Sequence, residues 1–276
     1  MPQLGVCSWS LCATSSEDLS AKVKALALGG IHLALDPIRE GLWDESQCRR
    51  DLEAAGLRIA SGMMATLGED YTSLETIRAT GGIVPDAHWE TNLASARDNA
   101  LLAKRLGLSL VTLHAGFIPH AQGDDRRAVL LDRLRQVADA FGDQDIQLGL
   151  ETGQESAETL EIVLEELDRA NVGVNFDPAN MILYGMGDPV IALDRLAPSV
   201  LQIHVKDAKK ATKPGNWGTE VPVGTGDVDW RAFFDLYHRR GLACDLMIER
   251  EVGDQRMQDI TTARDLVRAT LSGTLE

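Results

Sequence analysis

The sequence predicts an α/β protein folded as one closed (β/α)8 barrel, a single domain spanning residues 1–276. Three observations support this prediction. Eight short apolar runs alternate with longer amphipathic stretches, the apolar runs suit burial on both faces, and no linker rich in Pro, Gly or Ser divides the chain. Strict strand–helix alternation indicates a parallel sheet with right-handed crossovers, and eight such units fit a barrel of this length.

The predicted strands are near-continuous apolar runs of strand length. In chain order they are LGVCS from Leu4, IHLALD from Ile31, LRIASGM from Leu57, LVTLHAG from Leu110, IQLGLET from Ile146, VGVNFD from Val172, VLQIHVKD from Val200 and CDLMIER from Cys244.

About eight helices are predicted between these strands, from amphipathic patterns such as EDLSAKVKALALGG, NLASARDNALLAKRLG and ESAETLEIVLEELDRA. Several end in Gly just before the next strand, which is a common helix stop. An open doubly wound sheet is the alternative architecture. It is disfavoured because no G-x-G-x-x-G turn follows the first strand.

Composition excludes several classes of partner. The net charge of −15 gives an electronegative surface that repels phosphate backbones, so we expect neither nucleic acid nor an anionic membrane as partner. No segment approaches transmembrane length, and the N-terminus does not resemble a secretion signal. The four cysteines form no C-x-x-C pair, so we expect reduced thiols in a cytoplasmic protein; they are Cys7, Cys12, Cys48 and Cys244.

Polar residues end five consecutive predicted strands, where barrels carry their chemistry. They are His114, Glu151, Asp177, His204 and Glu249. Each has a structural alternative: a carboxylate could cap the following helix or pair at the rim, and a histidine could be a hydrogen-bonded core residue. Asp177 in particular precedes Pro178, which is a typical helix start.

Taken together, the last four of these residues predict a metal site. Neighbouring strands lie about 5 Å apart, so three carboxylates and one imidazole would crowd into a small volume. Carboxylates at that range repel one another unless a cation lies among them. Three oxygen ligands and one nitrogen favour Mn²⁺ or Mg²⁺, although Co²⁺ and Zn²⁺ also fit. We therefore expect Asp177 to be a ligand that also caps its helix.

The chain resembles the sugar phosphate isomerase/epimerase family, the xylose isomerase-like TIM barrels that include ketose 3-epimerases, hydroxypyruvate isomerase and inosose dehydratase. The resemblance rests on GVCSWSL, TLHAG, HVKD, VPVGTGDVDW and the Glu–Asp–His–Glu set at strands five to eight. It implies a divalent metal, Mn²⁺ first among the candidates, held by Glu151, Asp177, His204 and Glu249. It also implies that Glu151 and Glu249 act as the acid/base pair.

This resemblance implies an isomerase or epimerase acting on a small sugar or keto-polyol. The two glutamates would move a proton through an enediolate that the metal stabilises. Epimerisation, aldose–ketose isomerisation and dehydration of a keto-sugar or keto-cyclitol share this intermediate, so the sequence leaves all three open. Relatives often form dimers or tetramers, which makes a homo-oligomer an open expectation.

Substrate-binding residues are expected on the loops around the predicted site: His114, Asn180, Lys206, Lys210, Trp9 and Trp217. Asn180 and Lys210 stand where ketose 3-epimerases usually carry His and Arg. Phe117 is a further candidate for an apolar wall. Glu155 is expected in the first turn of the helix after strand five, the alternative being that it lines the pocket. A phosphate could bind only a local basic patch, for which the candidates are Lys206, Lys209, Lys210, Lys213 and Arg250.

Two other classes of function remain as alternatives. An endonuclease IV-like phosphodiesterase would share the barrel, but such enzymes use three zinc ions and more histidines than the six in this chain. A non-catalytic sugar-binding barrel would not need two opposed glutamates beside the Asp and His.

Overall fold

The computed structural model describes residues 2–213 and 215–272, and within them eight parallel strands close into a barrel. The barrel strands are β1 (Leu4–Cys7), β2 (Gly30–Ala34), β3 (Arg58–Met63), β4 (Leu110–Leu113), β5 (Gln147–Glu151), β6 (Val172–Phe176), β7 (Val200–Val205) and β10 (Asp245–Ile248). They lie in chain order around the barrel, and β10 pairs with β1 to close it. The predicted fold class is therefore confirmed.

Eleven α-helices occur in the described part of the chain. Eight form the outer ring: α1 (Ser16–Ala25), α3 (Glu45–Ala54), α5 (Trp89–Leu106), α6 (Asp125–Gly142), α7 (Ala157–Leu167), α9 (Pro189–Leu196), α10 (Trp230–Arg239) and α11 (Arg256–Leu271). Three short ones lie in loops that follow barrel strands: α2 (Asp36–Arg39), α4 (Leu74–Thr80) and α8 (Pro178–Leu183). No helix among the described residues is long and apolar enough to cross a membrane.

Local sequence signals set the helix ends. Several helices begin at a Ser or Asp whose side chain accepts a hydrogen bond from a backbone N–H of the first turn: Ser15, Asp44, Ser73, Asp124, Ser156, Asp177, Asp188 and Asp229. Helix α5 ends at Gly107, which adopts the left-handed conformation (φ +74°) that glycine tolerates best. These signals fix where most of the helices begin and where α5 ends.

Two irregularities in strand pairing lie inside the barrel. The register between β2 and β3 shifts between Ile31 and His32, and the register between β6 and β7 shifts between Val174 and Asn175. Such shifts often occur beside functional sites, because they change the direction of a side chain. His32 and Asn175 are both fully buried polar residues.

A two-stranded antiparallel hairpin follows β7 and was not predicted. The sequence prediction extended strand seven through Asp207, but β7 ends at Val205 and the hairpin pairs β8 (Asp207–Lys209) with β9 (Thr219–Val221). Glu220 in β9 accepts a hydrogen bond from buried Arg250 (2.6 Å), which fastens the hairpin to the end of β10.

Candidate metal centre and active site

Four side chains from consecutive barrel strands converge at one end of the barrel. Glu151 ends β5, Asp177 follows β6, His204 lies in β7, and Glu249 follows β10. Each offers a ligand atom, and these atoms all lie within 4.8 Å of one another. All four residues are at most 4% exposed. We call them the four-residue cluster.

The donor atoms of this cluster fit a divalent cation. His204 Nδ1 lies 3.3 Å from Glu151 Oε1, 3.3 Å from Glu249 Oε2 and 3.8 Å from Asp177 Oδ2. Within residues 2–213 and 215–272, His204 Nδ1, Asp177 Oδ2 and Glu249 Oε2 are buried without a hydrogen-bond partner. Buried polar atoms are rarely left unpaired. Three such atoms facing one another are accounted for by a cation that all of them bind.

The cluster also perturbs the pKa values of its own members. Burial, together with the neighbouring glutamates, raises the pKa of Asp177 to about 6, although Lys206 acts against this rise. Burial opposes ionisation of Glu249 as well, but the charges of Lys206 and His204 outweigh it and hold the Glu249 pKa well below its ordinary value. Of these two carboxylates, Asp177 is therefore the one whose charged form is disfavoured when no metal is bound.

Both glutamates are held by side-chain hydrogen bonds. Trp9 Nε1 donates to Glu249 Oε1 at 2.6 Å. Asn180 Nδ2 donates to Glu151 Oε1 at 3.0 Å, and Asn175 Nδ2 donates to Glu151 Oε2 at 3.1 Å. Trp9 and Asn180 were predicted from the sequence as site residues, whereas Asn175 was not, because it lies inside an apolar run and resembles a core position.

Asp177 is both a cluster member and a helix cap, as expected. Its Oδ1 accepts a hydrogen bond from the backbone N–H of Asn180 (3.0 Å), so that Oδ2 is left to face the cluster. Gly153 makes room for this helix start: it has φ +135°, and a Cβ there would lie 2.4 Å from the Cβ of Asn180. Glycine at 153 therefore allows Asn180 to approach Glu151.

Behind the cluster lies a group of buried polar side chains that we call the polar layer: Cys7, His32, Ser61, Thr112, Asn175 and Gln202. It contacts His204 on the nitrogen that faces away from the cluster. His204 Nε2 lies 3.0 Å from His32 Nδ1 and 3.1 Å from Asn175 Nδ2. Apart from Cys7, noted only as a reduced thiol, the sequence analysis selected none of these residues.

Lys206 is buried beside the cluster. Its ammonium lies 2.9 Å from Glu249 Oε2, without hydrogen-bond geometry, and 3.8 Å from Asp177 Oδ2; it also pairs with Glu251 at the rim. Burial acts against its charge, but the carboxylates outweigh burial and raise the pKa of Lys206 well above its ordinary value. The ammonium of Lys206 thus forms ion pairs with carboxylates of the protein itself.

The five candidates for a phosphate patch do not form one basic group. Lys206 pairs with Glu249 and Glu251, and Arg250 is buried against Glu220 and Asp259. The remaining candidates Lys209, Lys210 and Lys213 are exposed on the hairpin. Lys210 lies there through a backbone hydrogen bond to Asp227 (2.8 Å), outside the buried cluster.

Aromatic residues form a row near the site. The ring of Trp217 lies 4.8 Å from that of Tyr184, which in turn lies 5.7 Å from that of Phe117. Tyr184 also accepts a hydrogen bond from Gln154 (3.4 Å). The predicted apolar wall consisted of Trp9, Trp217 and Phe117; the row contains the last two, and Trp9 instead donates to a glutamate of the four-residue cluster. Tyr184, which joins Trp217 and Phe117, was missed because it follows a helix too short to be predicted.

The last two predicted positions have different outcomes. His114 Nε2 lies 3.7 Å from Glu151 Oε1, which is close enough for an ion pair. Glu155 was expected in the first turn of a helix, and that prediction is wrong: Ser156 caps α7, so Glu155 lies in the preceding loop, where it is buried. Burial raises the pKa of Glu155 to about 8.

A closed (β/α)8 barrel with a buried, carboxylate-rich cluster at its strand ends defines the class of this protein. Residues 21–270 match the sequence profile of the xylose isomerase-like TIM barrels. The chain belongs to this family.

Known proteins agree with this assignment. A crystal structure of a xylose isomerase domain protein from Planctomyces limnophilus is 30% identical, with a TM-score of 0.86 over 92% of each chain. The protein YihM of Escherichia coli (strain K12) is 28% identical over 153 residues, which span only 46% of its own length. An L-ribulose 3-epimerase structure is similar in fold, with 17% identity and a TM-score of 0.77 over 99% of this chain and 96% of that one.

Proposed function

We propose that this protein is a divalent-metal-dependent isomerase or epimerase of a small sugar or related polyhydroxy ketone. The observation that carries the proposal is the convergence of three carboxylates and one imidazole, three of whose buried atoms face one another without a hydrogen-bond partner among the described residues. Membership of the family and the fold shared with a ketose 3-epimerase support the choice of substrate class.

Glu151, Asp177, His204 and Glu249 are the residues that would hold the metal. A divalent cation bound there would supply a Lewis acid that stabilises negative charge developing on the oxygens of an enediolate. Mn²⁺ or Mg²⁺ suits this oxygen-rich set best.

Glu151 and Glu249 are proposed to move the proton. One carboxylate, in its ionised form, removes the proton from the carbon beside the carbonyl group. The other, which has first taken up a proton from water, returns that proton on the opposite face or at the neighbouring carbon. The pKa of each is held below its ordinary value despite burial, Glu151 by His114 and His204, and Glu249 by Lys206 and His204. Either side chain can therefore be ionised and act as the base, whereas the other must first take up a proton before it can act as the acid.

A polyhydroxylated substrate also suits three other buried atoms near the cluster. His114 Nδ1, Gln154 Oε1 and Trp217 Nε1 have no hydrogen-bond partner among the described residues. Hydroxyl groups both donate and accept, so one substrate could satisfy this mixed set. The row of Trp217, Tyr184 and Phe117 would pack against the apolar edges of the same molecule.

Dehydration is the second reaction that the same two glutamates could serve. It requires an acid that protonates the departing hydroxyl group. Lys206 is the cation nearest to Glu249, but its raised pKa makes it a weak acid. Proton transfer without loss of hydroxyl is therefore the preferred proposal.

Metal analysis and a proton-exchange screen in heavy water test the proposal. Purified protein is expected to hold one divalent ion per chain and to exchange a carbon-bound proton of a ketose, an inosose or hydroxypyruvate. Glu151→Gln and Glu249→Gln are each expected to abolish exchange while the fold is retained, because either change removes one of the two bases.

Glu161→Gln is the matched control, since Glu161 pairs with Arg195 on the outer surface and the change should leave exchange at the wild-type rate. Exchange that persists in both site variants contradicts the two-base mechanism. Three metal ions per chain with cleavage of phosphodiesters would favour the endonuclease-like alternative. Sugar binding without any exchange would favour a non-catalytic barrel.

A further inference from the structure

The nitrogen of His204 that faces away from the cluster contacts a second buried imidazole. His204 Nε2 lies 3.0 Å from Nδ1 of His32, a fully buried residue. To bind a metal through Nδ1, a neutral imidazole must carry its proton on Nε2. That proton then needs an acceptor among the groups that surround it, because His204 is fully buried.

The opposite nitrogen of His32 fixes which acceptor is available. His32 Nε2 lies 3.1 Å from the backbone oxygen of Gly62 and 3.1 Å from Thr112 Oγ1. A backbone carbonyl can only accept, so the contact with Gly62 requires a proton on His32 Nε2. Gln202 Nε2, an amide donor, lies 3.1 Å from His32 Nδ1, so this second ring nitrogen is an acceptor. Neutral His32 therefore carries a lone pair on Nδ1.

The other groups around His204 Nε2 are poorer acceptors. Asn175 Nδ2, at 3.1 Å, can only donate and already donates to Glu151 Oε2. Cys7 Sγ, at 3.7 Å, is a weak acceptor. Gln202 Nε2 also lies 3.1 Å from His32 Nδ1. The Nε2–H of His204 and the amide of Gln202 therefore share the lone pair of His32 Nδ1.

We propose that His32 is a positioning residue for the metal centre: its Nδ1 accepts the Nε2–H of His204 and so directs the Nδ1 lone pair of His204 toward the carboxylates. The register shift between Ile31 and His32 fits this role, because it alters how β2 presents His32 to the interior. The inference rests on the proposed metal centre and adds a residue on the far side of its only imidazole ligand.

Titration of the metal-free protein with Mn²⁺, followed by calorimetry, tests the role directly. His32→Phe keeps an aromatic ring but removes the acceptor, and we expect it to weaken Mn²⁺ binding by about 10- to 100-fold, the usual effect of losing such a partner. His32→Asn is expected to recover most of the affinity, because its Oδ1 can occupy the place of Nδ1. An affinity of His32→Phe equal to that of the wild type overturns the inference.

Ser61→Ala is the matched control in the polar layer. It removes the hydrogen bond from Ser61 Oγ to Gln202 Oε1 (2.5 Å) and leaves both imidazoles in place. Unchanged Mn²⁺ affinity in this variant supports a specific role for His32. A loss as large as that of His32→Phe means that any damage to the layer weakens the site, which overturns the inference.

A spectroscopic test on the wild-type protein does not depend on whether the variants fold. In the Zn²⁺-loaded, nitrogen-15-labelled protein, NMR should find the proton of His204 on Nε2, and that of His32 also on Nε2. A proton on His32 Nδ1 overturns the inference while the metal centre stands. Failure of the wild type to bind either metal overturns the metal centre and this inference together.

Discussion

Asp177 shows how a single carboxylate serves two purposes. Its Oδ1 caps α8, and its Oδ2 faces His204 and the glutamates. The cap fixes the side chain in place before any metal arrives, so the ligand atom needs no reorganisation on binding. The same rigidity keeps the carboxylate buried beside the glutamates, and burial, with a smaller contribution from those glutamates, raises its pKa.

The hydrogen bond from Trp9 to Glu249 is the residue-scale contact most open to test. We expect Trp9→Phe to slow proton exchange by about 10- to 100-fold, because a hydrogen bond to a buried charged group is worth about 1.5–3 kcal/mol. Exchange rates at saturating Mn²⁺ measure the effect. Trp43→Phe, a change of a partly buried residue that packs against the core and makes no hydrogen bond to Glu249 within the described residues, should leave the rate unchanged. Equal rates in both variants would show that the indole N–H does not support catalysis.

The residues that sequence reasoning found and missed differ in position rather than in chemistry. Glu151, Asp177 and Glu249 each lie at the end of an apolar run, where a charged residue is conspicuous in the sequence and indicates a possible site. His32 and Asn175 lie within apolar runs. Barrel strands are buried on both faces, so periodicity cannot show which side chains point into the barrel and which lie under the helices. The polar layer becomes visible only when the barrel is closed.

At the element scale, the hairpin of β8 and β9 depends on one buried carboxylate, that of Asp207. Asp207 Oδ2 accepts from the backbone of Gly224 (2.9 Å) and Gly226 (3.1 Å) and from Trp230 Nε1 (3.0 Å). A Cβ on Gly226 would lie 2.0 Å from Asp207 Oδ1, so the loop needs glycine to approach this closely. The glycine-rich stretch before α10 is thus explained by its wrapping around Asp207.

We expect Asp207→Asn to lower the free energy of unfolding by about 3 kcal/mol, because its amide group would face backbone donors that lose their acceptor. Urea denaturation followed by circular dichroism measures the change. Asp227→Asn is the comparison, since Asp227 accepts a single backbone hydrogen bond in the same hairpin, and it should cost far less. Similar losses in the two variants would contradict the central role of Asp207.

The loop between β5 and α7 should make stability depend on pH through Glu155. Its pKa is raised by burial from 4.5 to about 8, so between these values the folded state keeps a proton that the unfolded state releases. Stability therefore falls as pH rises through this window, by at most about 1.4 kcal/mol per pH unit. Glu155→Gln should remove this fall and be more stable than wild type at pH 8. Parallel stability curves for the two proteins would contradict the prediction.

At the scale of the whole molecule, closure of the barrel is what assembles the site. Alternation of strands and helices was enough to predict the order of the strands and the convergence of residues from β5, β6, β7 and β10. The hairpin and the three short helices were not predictable in the same way. These elements are only three to seven residues long. They are held by residues distant in sequence, as Glu220 of the hairpin is by Arg250.

Metal binding and folding should be linked across the whole molecule, and Asp177→Asn separates the two. Asn is as good a helix cap as Asp, so α8 should keep its start. In metal-free wild type, the folded state keeps a proton on Asp177 between pH 3.8 and about 6 that the unfolded state releases. The free energy of unfolding therefore falls as pH rises through this window, by at most about 1.4 kcal/mol per pH unit. The neutral Asn variant has no such proton and shows no such fall. We therefore expect the metal-free variant to be at least as stable as metal-free wild type at pH 8.

Mn²⁺ should reverse that order. At a concentration of 100 times its dissociation constant, a ligand that binds only the folded state raises the free energy of unfolding by about 2.7 kcal/mol. Wild type should show this gain, and Asp177→Asn, which lacks one carboxylate ligand, should show little of it. Thermal unfolding of both proteins with Mn²⁺ or with a chelator measures the difference. If Mn²⁺ stabilised the two proteins equally, Asp177 would not be a ligand, and its raised pKa would reflect burial in an ordinary helix cap.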